Sequence, residues 1–159
     1  MADNLPVTED PTARMGIPEP AMSHEKAVTS FLNVDLDLCG RTGDIDEILR
    51  SMEPSVIVLH RAEQFAVVEQ LRESLPSLEE TVTGWVELVE ALPPQVRKVW
   101  DALEFRKLNI GIQAECEPRH AEFAVSGRAV ASLAAAHLEI IITVYAPPAV
   151  SPAASTAAS

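Results

Sequence analysis

Residues 31 to 38, F-L-N-V-D-L-D-L, alternate apolar and polar side chains along most of their length. A repeat of two is that of a β-strand whose two faces meet different surroundings. Leu32, Val34, Leu36 and Leu38 then point toward a core, and Phe31, Asn33, Asp35 and Asp37 point away from it. A slip of one residue would bury both aspartates and expose Val34 and Leu36, so the pattern ties the strand to one register.

A helix is expected next, capped by Asp44 with Glu47 three residues on, striped by Ile45, Ile48, Leu49 and Met52, and closed by Pro54. S-V-I-V-L-H-R (55 to 61) and Q-F-A-V-V-E-Q-L (64 to 71) read as an antiparallel hairpin. S-L-E-E (77 to 80) is a second capping box, opening a helix that carries Leu78, Val82, Trp85, Leu88, Val89 and Leu92. Pro93 and Pro94 end it, and Pro94 can begin a short helix with Val96, Val99, Trp100 and Leu103 on its inner side. L-N-I-G-I-Q-A-E (108 to 115) alternates again, E-F-A-V-S (122 to 126) is expected to pair back on it, residues 128 to 138 form an Ala-rich helix, and E-I-I-I-T-V-Y (139 to 145) is the last strand.

The order expected is β-α-β-β-α(α)-β-β-α-β. It describes an α+β domain with a single mixed or antiparallel sheet of about six strands and helices on one face. Residues 1 to 28, with Pro6, Pro11, Pro18 and Pro20 and no hydrophobic period, are expected to be a flexible N-terminal arm. Residues 29 to 146 make the single folded domain, and the Ala/Ser/Pro-rich 147 to 159 are expected to be disordered. A chain of 159 residues, 47% of them hydrophobic, has material for one substantial core.

Charge narrows the partners. There are 24 acidic and 12 basic side chains, a formal −12, and most of the excess falls between residues 29 and 146. Phosphate binding needs a cationic face, so neither nucleic acid nor an anionic membrane surface is expected as a partner. An acidic surface suits a basic protein, and self-association into a homo-oligomer is compatible with it. Cys39 and Cys116 are far apart and outside any C-x-x-C pair. The first residues lack a basic start and an apolar run, so no signal peptide is expected and the cytoplasm is the expected compartment.

On the polar side of the sheet Asn33, Asp35, Asp37, Asn109, Gln113, Glu115, Thr143 and Tyr145 are expected to share a surface. Of these Asn33, Asp35, Asp37, Gln113 and Tyr145 are the candidate partner-binding residues. Asp35 and Asp37 stand roughly 6.5 to 7 Å apart by strand rise. With Glu115 they are the candidate ligands of a hard metal ion, if a pocket surrounds them; otherwise they keep one face wet. Cys116 and His120, in A-E-C-E-P-R-H, lack the second cluster that a zinc site requires. His60 and His137 read as structural, and Trp85 and Trp100 as core residues unless a helix edge exposes one to a partner. Glycine-rich phosphate loops, nucleophile elbows and H-E-x-x-H are absent, so no cofactor and no catalytic residue are assigned and an enzyme is not favoured.

F-L-N-V-D-L-D-L, the central L-V-E-A-L-P-P and the closing I-I-I-T-V-Y-A-P-P together resemble small, uncharacterised bacterial α+β proteins, some of them immunity-protein-like. The likeness covers residues 30 to 148 and rests on strand and helix patterns, so it carries no functional residue across. The acidity of residues 29 to 146 together with the absence of catalytic signatures leads to the expectation of a non-enzymatic bacterial binding protein, immunity-like or an adaptor, acting through its acidic surface. The alternatives are a metal-assisted enzyme using Asp35, Asp37 and Glu115, and a structural or cargo component docked by its tails.

Overall fold

The central strand, β1, runs over Ser30–Cys39, and everything else is arranged around it. The computed structural model describes residues 28–72, 77–115 and 120–147. In chain order β1 is followed by α1 (Thr42–Met52), β2 (Val56–Ala62), β3 (Phe65–Gln70), α2 (Leu78–Glu90), α3 (Pro94–Asp101), β4 (Phe105–Gln113), α4 (Gly127–Ala135) and β5 (Glu139–Tyr145). The expected arm and tail lie, apart from Val28 and Pro147, outside the described residues.

The strands form one mixed sheet in the order β2-β3-β1-β4-β5. β1 pairs antiparallel with both β3 and β4, β2 and β3 form the expected hairpin, and β5 lies parallel to β4 after the crossover through α4. Among the described residues the sheet has five strands, where the sequence suggested about six. The missing one is E-F-A-V-S: residues 122 to 126 make no ladder, although Phe123 and Val125 pack against the core. β1 occupies one side of β4 and β5 the other, so no edge of β4 is left for a hairpin return.

Val34, Leu36 and Leu38 of β1, Ala66 and Val68 of β3, and Leu108 and Ile110 of β4 are buried on one face. They pack with Ile45 and Ile48 of α1, Val82 and Trp85 of α2, Val96 and Trp100 of α3, and Leu133 of α4, so all four helices contribute to the same core. Both tryptophans are 0% exposed. The Trp85 indole N–H donates to the Val34 carbonyl at 3.2 Å and that of Trp100 to the Ala136 carbonyl at 2.9 Å, so neither buried donor is left unpaired.

Two local expectations are corrected. A bulge between Phe31 and Asn33 turns Leu32 outward, 37% exposed, and packs Phe31 against the core opposite Ile112. The strict alternation therefore holds only from Asn33 onward, because the extra residue inverts the facing of what precedes it. α1 starts earlier than the Asp44–Glu47 pattern implied: Arg41 is the N-cap, without a side-chain cap, and Asp44 lies in the first turn. There Asp44 accepts two hydrogen bonds from the Arg41 guanidinium and has the charge the helix dipole favours.

Other signals hold. Ser77 and Glu80 form the reciprocal capping box at α2, and Pro94 occupies the start of α3. α4 is capped by Ser126 and ends in a Schellman turn: His137, at φ 58°, donates its N–H to Ala134, and the Leu138 N–H donates to Leu133.

Candidate functional site

With the helices on one side, the other face of the sheet is left open among the described residues, and its residues follow from register. β1 presents Asn33, Asp35, Asp37 and Cys39, and β3 presents Phe65, Val67 and Glu69 beside them. β4 adds Phe105, Lys107, Asn109, Gly111 and Gln113, and β5 adds Glu139, Ile141, Thr143 and Tyr145. The polar assignments made from alternation thus converge on this face, except for Glu115.

Asp35 occupies its centre, directly opposite Glu69 on one side and Asn109 on the other. Its carboxylate accepts a hydrogen bond from Asn33 Nδ2 at 3.0 Å. Partial burial pushes its pKa up to about 6, and the negative charges of Glu69 and Asp37 push in the same direction. Like charges directly across an antiparallel pair repel. Among the described residues no basic side chain forms an ion pair with either Asp35 or Glu69.

Asp37 has other cross-strand neighbours, Val67 on β3 and Lys107 on β4. Burial raises its pKa too, but Lys107, its partner on β4, pulls it back. The Lys107 ammonium also lies 4.1 Å above the Phe105 ring and 3.9 Å from the Glu139 carboxylate, so its charge is shared. Phe105 and Phe65 are tilted neighbours with ring centroids 6.3 Å apart, and the His60 ring is likewise tilted beside Phe65 with centroids 6.2 Å apart. The carboxylates therefore have an aromatic cluster at one end of the face.

At the other end Asn33 lies over Gly111. A Cβ built on Gly111 would come within 2.7 Å of Asn33 Oδ1 and 3.6 Å of the Tyr145 ring, so the missing side chain makes room for both. Tyr145 is exposed. Thr143 Oγ1 donates to Asn109 Oδ1 at 2.7 Å, linking β5 to the residue beside Asp35. Gln113 uses its amide N–H on the Ala114 and Ala146 carbonyls, a clasp on the end of the β4–β5 pair.

Glu115 does not join the aspartates. It lies beyond the end of β4, where its N–H donates to Thr29 Oγ1. Among the described residues no three His, Cys, Asp or Glu side chains converge closely enough to hold a metal ion, so Asp35, Asp37 and Glu115 do not make a ligand set. Cys116 lies outside the described residues, His120 and His60 are exposed, and His137 serves the α4 turn with Nδ1 3.3 Å from Asp101.

Sequence reasoning missed Glu69 and Lys107, the two charges that set the electrostatics of the centre. A signal was present: alternation through F-A-V-V-E-Q places Glu69 with Phe65 and Val67, but both sets of that strand look apolar. The small pair Ala66 and Val68 proved to be the buried one.

No family model, no curated protein and no solved structure matches this chain.

Proposed function

We propose that this chain is a non-enzymatic protein-binding module, immunity-like or an adaptor, which uses the open sheet face to receive a basic patch of another protein. The observation that carries the reading is the Asp35–Glu69 pair. Two carboxylates sit side by side, one raised to about 6, without a cation of the described chain to relieve them. An incoming lysine or arginine would supply that cation in a partly desolvated setting, where a charge pair is worth more than on an open surface. Phe65, Phe105 and exposed Tyr145 would supply apolar contact on either side of the charges.

The experiment is capture on the tagged full-length chain, with Asp35→Asn/Glu69→Gln run in parallel and bound proteins identified by mass spectrometry. A basic protein retained by the wild type in low salt, released in high salt and lost by the double variant is the expected outcome. Retention should also strengthen between pH 5 and 7, as Asp35 ionises. Equal retention by both chains overturns the assignment of the face.

A further inference from the structure

We propose that β5 is a self-complementary edge through which two copies of this chain pair antiparallel, joining their sheets across a two-fold axis at Ile142. The described sheet ends in β2 on one side and β5 on the other, and the two edges differ. β2 has a bulge between Val58 and His60, and its Arg61 is paired with Asp46 and donates to the Ala62, Glu63 and Phe65 carbonyls. Bulges and charges are the means by which edge strands avoid pairing. β5 has neither: it keeps unbroken register with β4 over seven residues and contains no charge, proline or glycine from Ile140 to Tyr145.

The direction of its backbone follows from one hydrogen bond. The Ala114 N–H donates to the Tyr145 carbonyl at 2.9 Å, so the main-chain groups of Tyr145 point toward β4. Alternation gives the same direction to Thr143 and Ile141 and turns those of Ile140, Ile142 and Val144 to the outer edge of the described sheet. The side chains of these three lie on the helix-bearing side with Leu108, Ile110 and Ile112, yet Ile142 and Val144 are 61% and 60% exposed. The strip that would continue the core thus coincides with the backbone groups that would continue the ladder.

A second copy satisfies both at once. Antiparallel pairing centred on Ile142 sets Ile142 against Ile142, Ile140 against Val144 and Ile141 against Thr143, and each outward N–H and C=O finds its counterpart. Glu139 falls opposite Tyr145, so two chains of charge −12 meet without a like-charge pair in the seam. One strand per copy makes a small interface, below about 1,200 Å² in total, which implies micromolar association.

The test is sedimentation velocity on the full chain across a hundredfold concentration range, with two edge variants and two cysteine variants. The wild type should pass from monomer to dimer. Ile142→Lys, which sets two ammonium groups at the axis, should weaken association at least tenfold, while Leu59→Lys on the β2 edge leaves it unchanged. In a Cys39→Ser/Cys116→Ser background, Ile142→Cys should oxidise to a covalent dimer, its partner Cα being about 5.5 Å away. Ile140→Cys should not, since its own copy would lie roughly 13 Å along the strand. A wild type that stays monomeric throughout, an association indifferent to Ile142→Lys, or equal cross-linking at 140 and 142 overturns the proposal.

Discussion

At the residue scale Asp35 is the group whose chemistry the fold changes most. Its folded-state pKa, about 6, exceeds the ordinary 3.8, so the folded chain binds this proton more tightly than the unfolded chain does. The group therefore opposes folding above about pH 6, and that penalty is relieved as pH falls toward 4. Solvent reaches Asp35, so after discounting for screening the penalty is about 1 kcal/mol. Asp35→Asn should raise stability by that order at pH 8 and by only about a third of it at pH 4.5, as urea denaturation at the two pH values would read. The position of Asp35 and Asp37 was legible in the two-residue alternation, whereas Glu69 and Lys107 became part of the site only through pairing register. Register joins residues 35 and 69, or 37 and 107, and local pattern holds no record of such pairs.

At the scale of elements the capping box of α2 is a direct translation of four residues into structure. Ser77 Oγ accepts from the Glu80 N–H at 3.3 Å, and the Glu80 carboxylate accepts from the Ser77 N–H at 2.8 Å. Ser77→Ala removes the cap from a helix that carries Trp85 into the core, and should cost about 1 kcal/mol in thermal or chemical denaturation. The helices were legible because caps, prolines and apolar stripes act within a few residues. The corrections arose where a neighbour decided the outcome. Phe123 and Val125 have the composition of a strand but no free edge of β4 to join, since β5 lies there. Leu32 reads as an inward residue, yet the bulge opposite β4 turns it out.

At the scale of the whole molecule, a two-layer arrangement separates two tasks: the helix-bearing side supplies stability, and the bare side holds the charges. β1 is the hinge of that division, since its inward residues are among the most deeply buried and its outward ones form the acidic centre. Leu36 lies in the middle strand and is fully buried, so truncating it leaves a cavity within the core. Leu36→Ala should cost about 2 to 5 kcal/mol, a large share of the total for a domain of this size, and denaturation midpoints would show it.

The two enclosed tryptophans are the only ones the chain has. Each indole is tied to a main-chain carbonyl, Trp85 to the central strand and Trp100 to the end of the α4 turn. The intrinsic fluorescence of this protein is therefore an internal gauge of the sheet–helix seam: blue-shifted and shielded from iodide while the layers are closed, and red-shifted once they part. Ligands resting on the bare side should leave that light unaltered, which makes any change in its colour a report that the interior itself has opened.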